Sequence, residues 1–333
     1  MKHTIWFLFL ILMISCEKER PHKSFFQGQA FGTTFSIQVY SINEIEFEKG
    51  IDSVLSLVNN SVSTYIPESD ISKINNGNTA IIVDDIFIDN FNISAEVYEN
   101  TGGFFDPTIG VLRNAYGFGD TNSIEEIDSL ALDSMMKFVG FNKVKLTSEN
   151  KIEKLYPEIY IDFNAVAKGY GIDLIGSYLD SKGVNNYLIE LGGEILAKGK
   201  NVEKNKSWLV GIENVNLNDK SFSSIIALED IAMATSGNYR KFRIDSLTGK
   251  KYVHTLNPIT GSASKSDITS ATVLASTCAL ADAYATAFMA LGLENSKVIL
   301  KNIDKIDVYF TYNDQNNEEQ VFATEGLIKR LVN

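Results

Sequence analysis

The sequence predicts an α+β fold, a mixed and mostly antiparallel sheet core with surrounding helices. Three observations carry this. Runs that alternate like strands and runs with helical spacing are interspersed, without the regular βαβ rhythm of a parallel sheet. Between Gly193 and Thr255, short strand-like runs are separated by Gly and Asn turns. Finally, 44% of the 333 residues are hydrophobic, enough for a sizeable core and too many for a disordered chain.

The chain opens with Lys2 and His3 before an apolar run over residues 5–14. That run is short for a bilayer span and suits the apolar region of a secretory signal. It ends in Leu12-Met13-Ile14-Ser15-Cys16, ahead of the charged Glu17-Lys18-Glu19-Arg20. The pattern resembles a bacterial lipobox; the alternative is an ordinary secretory signal that happens to hold a cysteine. The expectation is a lipoprotein signal peptide over 1–15, lipidation at Cys16, a polar tether over 16–24 and one domain over 25–333. Such a protein would be lipid-anchored to a bacterial membrane and face the periplasm or the cell exterior. Cys278 is then the one remaining cysteine, so no intrachain disulfide can form. The net charge of -12, with no basic block, argues against nucleic acid or anionic lipid as the main partner.

In order along the domain, 25–40 alternates and is rich in aromatic and β-branched residues, so it reads as strands. Gly32 interrupts it, suggesting a bulge or a close ligand approach. Residues 44–58 carry Ile51, Val54, Leu55 and Val58 at helical spacing, followed by a loop over 61–70. A helix over 84–100 is ended by Gly102-Gly103. The acidic stretch 120–128 reads as a solvated insertion leading to a helix near 130–138. A strand over 158–162, a helix over 165–179 and a strand over 187–189 follow. Residues 268–275 alternate as a strand, and a helix carrying Asp282 comes next.

That last helix holds the most informative run, Ala281-Asp282-Ala283-Tyr284-Ala285-Thr286. Its neighbours are apolar or small, and a buried carboxylate is costly unless it meets a cation or several donors. Thr286 shares its helical face. Two hard oxygens there suit Mg2+; the equal alternative has Asp282 cap a neighbouring loop and Thr286 bond back to its own helix.

The run Ile161-Asp162-Phe163-Asn164-Ala165-Val166-Ala167-Lys168 reads as a strand end followed by a helix start. Free N–H groups and Lys168 in the first turn would favour an anion there; the plainer reading makes Asp162 or Asn164 an N-cap with Lys168 in water. Phe104 and Phe105 either stack on a planar ring or fill the core. Leu191-Gly192-Gly193-Glu194 and Thr235-Ser236-Gly237-Asn238-Tyr239 read as glycine turns. His254 is the one histidine of the domain, set before a rigid turn, a structural hydrogen-bonder or a candidate acid/base.

Taken in order, F-G-T-T-F, S-T-Y, G-G-F-F-D-P-T, D-F-N-A-V-A-K-G-Y, L-G-G-E, A-T-S-G-N-Y, H-T-L-N-P-I-T-G and A-D-A-Y-A-T make the chain resemble the ApbE family of FAD:protein FMN transferases. The resemblance implies a T-fold-like architecture and an enzyme that moves FMN from FAD to a Thr/Ser hydroxyl of a target flavoprotein, releasing AMP. It implies Mg2+ held by the Ala165 carbonyl, Asp282 and Thr286. It implies FAD contacts from Phe31, Tyr65, Phe104, Phe105, Asp106, Asp162, Lys168 and Leu256, and catalytic roles for His254 and Asp282. Three positions depart from the family pattern. Asn257 stands for an aspartate, Phe31 for a methionine and Asn164 for glycine or serine. The rival functions are a Mg2+-dependent FAD pyrophosphatase and a membrane-tethered flavin carrier without turnover.

Overall fold

The computed structural model describes residues 21–42, 47–121, 123–124, 127–213, 222–238, 242–244, 251–263 and 266–332. Cys16 and the expected signal peptide lie outside them.

Strands β1 (His22–Ala30) and β2 (Thr33–Ser41) pair antiparallel in a hairpin. Its two-residue turn has φ of 51° at Phe31 and 75° at Gly32, the primed geometry that matches strand twist. Gly32 is therefore the hairpin turn and not a bulge. The strand also takes in His22–Ser24, the end of the segment expected as tether.

Helix α1 (Glu48–Val62) outlasts its expected end, because Val62 continues the buried stripe of Ile51, Leu55 and Val58. A short α2 (Asp70–Asn75), capped by Ser69, begins at the last residue of the expected loop. Helix α3 (Asp85–Asn100) starts where Asp84 accepts the Phe87 N–H. It stops before Gly102 and Gly103, which take φ of 59° and 86°. Next come α4 (Gly110–Ala115) and α5 (Ser129–Met136), then a small hairpin of β3 (Val144–Leu146) and β4 (Ile152–Lys154).

Residues 158–162 were expected as a strand, and they form only one isolated bridge, between Tyr160 and Ile109. The Asn75 side chain takes the place of a neighbouring strand. Its amide donates to the Ile161 carbonyl and accepts the Ile161 N–H, each at 2.8 Å.

The second half holds α6 (Ala167–Ser181), β5 (Asn186–Leu191), β6 (Glu194–Lys198), β7 (Trp208–Glu213), β8 (Phe222–Leu228) and β9 (Ile231–Gly237). After these come β10 (Phe242–Ile244), β11 (Lys251–Val253), β12 (Ile268–Ala275), α7 (Cys278–Leu291) and α8 (Leu293–Leu300). Strands β13 (Asp307–Asn313) and β14 (Glu319–Ala323), helix α9 (Glu325–Ile328) and strand β15 (Leu331–Val332) finish the chain.

Eight strands form one sheet in the order β1-β2-β5-β6-β9-β12-β13-β14, with every neighbouring pair antiparallel. Ile37, Val39 and Ile189 pack with Ile51 and Leu55 of α1 and Ile172, Ile175 and Leu179 of α6. Farther along, Ala271, Val273, Val308 and Phe310 pack with α3 and α7. A second sheet, β15-β8-β7, carries Trp208, Ile212, Ile226 and Leu228 into a separate core with Tyr40, Ile195, Met233 and Tyr309. The expected mostly antiparallel α+β architecture is what the chain forms.

Helix α7 is buried on nearly every side, and small residues let its neighbours come close. A Cβ placed on Gly169 of α6 would stand 2.3 Å from the carbonyl oxygen of Cys278, so only glycine permits this crossing. That close approach positions the site.

Candidate active site

Two carboxylates of different roles set up α7. Asp173 of α6 accepts the N–H groups of Cys278 at 2.8 Å and Ala279 at 2.9 Å, tying the free donors of the first turn to the neighbouring helix. One turn later Asp282, 4% exposed, accepts the Gly169 N–H at 3.3 Å. Thr286 follows on the same face, its hydroxyl 3.5 Å from that of Ser236 on β9. Asp282, Thr286 and Ala165 line one cavity, so the three expected metal ligands do come together. Among the described residues no group of three or more His, Cys, Asp and Glu is placed to hold a metal. The expected set has only one such side chain, since its other oxygens come from a hydroxyl and a backbone carbonyl.

Lys168 places its Nζ 2.5 Å from Oε2 of Glu194, which is 3% exposed. Burial pushes Glu194 up to about 8, and Asp282 pushes the same way against Lys168. Burial also raises Asp282, opposed by Lys168 and the Gly169 N–H. For Lys168, burial acts to lower the pKa, but Asp282 and Glu194 outweigh it and the net shift is upward. Two buried carboxylates thus face one ammonium. Burial favours the neutral form of both, and Lys168 opposes it at both.

The start of α6 differs from expectation. The helix begins at Ala167, and the N-cap position falls on Val166, which has no capping side chain. Three of the early amides are already spent, since Val166 and Ala167 donate to the Phe163 carbonyl and Gly169 to Asp282. The side chain of Lys168 supplies a full positive charge at the cavity. Asp162 instead accepts the Asn164 N–H at 2.7 Å through Oδ1 and pairs with Arg113 Nη1 through Oδ2. The other arm of Arg113 donates to the Tyr65 hydroxyl at 2.7 Å.

Phe104 borders the cavity half-buried, whereas Phe105 also belongs to the core, so the pair divides its work. Asp106 lines the cavity with both oxygens committed to protein donors. Oδ1 accepts the Thr108 N–H at 2.8 Å and hydroxyl at 2.6 Å, and Oδ2 accepts the Phe141 N–H at 3.1 Å. Burial still lifts it to about 6 against these donors.

His254 follows β11, half-buried at the same cavity, with Leu256 beside it. Asn257 accepts the N–H groups of Ile259 at 2.9 Å and Thr260 at 3.1 Å. The turn after His254 thus needs an acceptor oxygen and no charge, which is why asparagine serves there.

These residues line a cavity of about 280 Å3. A second, of about 380 Å3, adjoins it and holds Phe31 and Tyr65. The two share Arg113, Asn164, Lys168 and Gly192. All the expected site residues within the domain therefore border one bipartite cleft. Gly192 belongs to a tight β5–β6 turn, where a Cβ would stand 2.7 Å from Thr33. Thr235-Ser236-Gly237, expected as part of a turn, lie in strand β9. Sequence reasoning missed Arg113, Asp173 and the charge of Glu194. Glu194 ends the L-G-G-E motif and was open to detection; nothing in the sequence marks Arg113.

The profile of the ApbE family matches residues 31–310. The chain is 32% identical over 300 residues to the FAD:protein FMN transferase of Vibrio cholerae, covering 87% of each. It is 30% identical over 317 residues to the FAD:protein FMN transferase of Haemophilus influenzae, covering 91% of this chain and 90% of that one. The solved structure of the flavin transferase ApbE from Vibrio cholerae superposes with a TM-score of 0.83 at 28% identity, over 93% of this chain and 100% of that chain.

Proposed function

We propose that this chain, which belongs to the ApbE family, transfers the FMN moiety of FAD to a Thr or Ser hydroxyl of a target flavoprotein and releases AMP. The observation that carries the reading is that Asp282, Thr286 and Ala165 line the wall of the cavity that Lys168 and His254 also border. Hard oxygens from a carboxylate, a hydroxyl and a backbone carbonyl fit Mg2+ there. Bound at that wall, Mg2+ would draw charge from the phosphate oxygens as the pyrophosphate bond breaks.

The chain's own residues supply the rest. Phe31, Phe104 and Tyr65 offer ring faces for a flat substrate in two halves of one cleft. Lys168, held by Glu194, presents a fixed cation to the substrate phosphates. In the transfer, the acceptor oxygen bonds to the FMN phosphorus and the bond from that phosphorus to the bridging oxygen breaks. AMP leaves with the bridging oxygen, and the acceptor proton passes to a base for which His254 is the candidate. Such reactions depend chiefly on positioning and charge, which matches a site without a covalent nucleophile in its assigned roles.

The same reading puts the domain on a lipid anchor at Cys16, facing the periplasm or the cell exterior. Its support is the apolar run over 5–14 and the residues that end it.

The test mixes the full-length protein with FAD, Mg2+ and a flavoprotein domain bearing a Thr/Ser flavinylation motif, and weighs the acceptor. A gain of one FMN adduct, lost with EDTA and in Asp282→Ala, is the expected result. AMP without an adduct would make the protein a pyrophosphatase, and retained FAD with neither product would make it a carrier.

A further inference from the structure

Where the two cavities meet, the side chains are donors. Arg113, Asn164 and Lys168 border both, with Gly192 supplying only backbone. The Asn164 Nδ2 is buried there without a hydrogen-bond partner. An unpaired buried donor is costly, and an acceptor arriving in the cleft would relieve it.

Arg113 has the better-defined geometry of the two cations. It reaches the neck from α4, and Asp162 and Tyr65 each fix one of its arms. Asp162 in turn is locked by the Asn164 N–H, so the guanidinium is held before any ligand arrives. A guanidinium carries five donors, and these two bonds leave the others available. Its side chain is 18% exposed, enough to present them to the cleft. Planar donors on a permanent cation match phosphate oxygens.

We propose that Arg113 is a substrate-binding residue that takes the diphosphate of FAD at the neck of the cleft, alongside Lys168, and so sets the preference for a dinucleotide over a bare flavin. This rests on the functional reading above. Arg113 acts by touching the phosphates, and its links to Asp162 and Tyr65 serve to aim it.

The experiment measures the affinity of the full-length protein for FAD and for riboflavin, which shares the ring and lacks phosphate, without Mg2+ so that nothing turns over. Arg113→Gln keeps polar atoms toward Asp162 and Tyr65 and removes the charge. It should weaken FAD about tenfold or more while changing riboflavin less than about twofold, the scale of one lost charge-assisted contact. Arg113→Lys keeps the charge without the fork and should recover part of the preference. Equal weakening of both ligands, or an unchanged FAD affinity, would overturn the proposal and leave Arg113 a strut. So would an Arg113→Lys protein that has lost the preference for FAD over riboflavin, a comparison with wild type that stands if Arg113→Gln does not fold. A wild-type protein that binds no FAD would instead bring down the functional reading, and this inference with it.

Discussion

The backbone amide of Gly169 donates to the carboxylate of Asp282 at 3.3 Å, across the crossing of α6 and α7. The bond exists because residue 169 has no side chain. A Cβ there would meet the Cys278 carbonyl oxygen at 2.3 Å and the Ala279 Cα at 2.8 Å, both backbone atoms that cannot swing aside. Gly169→Ala should therefore push the helices apart, costing about 1–3 kcal/mol as overpacking does. It should also slow FMN transfer, since Asp282 would lose its donor and its place. Denaturant midpoints and turnover measured on the same sample decide this. A protein unchanged in both would mean that the crossing tolerates a methyl group.

The buried pair of Lys168 and Glu194 gives a prediction with a control built in. Lys168→Met would leave Glu194 and Asp282 without the cation that opposes burial at both, and above about pH 8, where Glu194 ionises, breaking a buried pair costs about 3–5 kcal/mol. Adding Glu194→Gln removes that charge, so at the same pH the double variant should regain most of that stability and none of the transfer activity. Thermal melting and an AMP-release assay separate the two effects. A double variant as unstable as Lys168→Met would show that the loss comes from packing and not from charge.

Asp106 predicts a pH dependence. Burial lifts its pKa from 3.8 to about 6, so between those values the folded state holds a proton that the unfolded chain releases. Its contribution to stability is full below 3.8, declines as the pH rises to about 6, and is flat above. Asp106→Asn should abolish that decline. It should also destabilise the protein by about 1–3 kcal/mol at neutral pH, because an amide N–H would then oppose the Phe141 N–H. Urea midpoints from pH 4 to 7 for both proteins provide the check. A parallel pair of curves would remove Asp106 as the source.

What the sequence disclosed follows from how local each signal is. Strand β12 and helix α3 were legible because a strand-like run and a double-glycine stop act within a few residues. Residues 158–162 misled because their partner is one side chain, Asn75, and no local pattern announces a distant amide. The site was read by motif order, which located Asp282, Lys168 and His254 without their partners. Arg113 stayed hidden because α4 is six residues long, too short for a periodic signal, and its role appears only when Tyr65 and Asp162 close around it.

His254 separates two chemical roles that its position alone leaves side by side. It lies half-buried at the cavity that Asp282 and Lys168 also border, and the Asn257 turn that follows is fixed by its own hydrogen bonds. A general base acts on the proton of the acceptor hydroxyl, which is absent when FAD binds alone. His254→Ala should then slow transfer by about 10²-fold or more, the scale of general-base catalysis, while FAD affinity changes little. A phosphate contact predicts the opposite balance, with affinity and turnover falling together. Added imidazole offers a second readout, because a small base entering the space left by the side chain restores proton transfer and not a structural contact. Turnover in His254→Ala equal to wild type would leave the histidine to hold the loop, and the proton would have to leave through another group at the cavity.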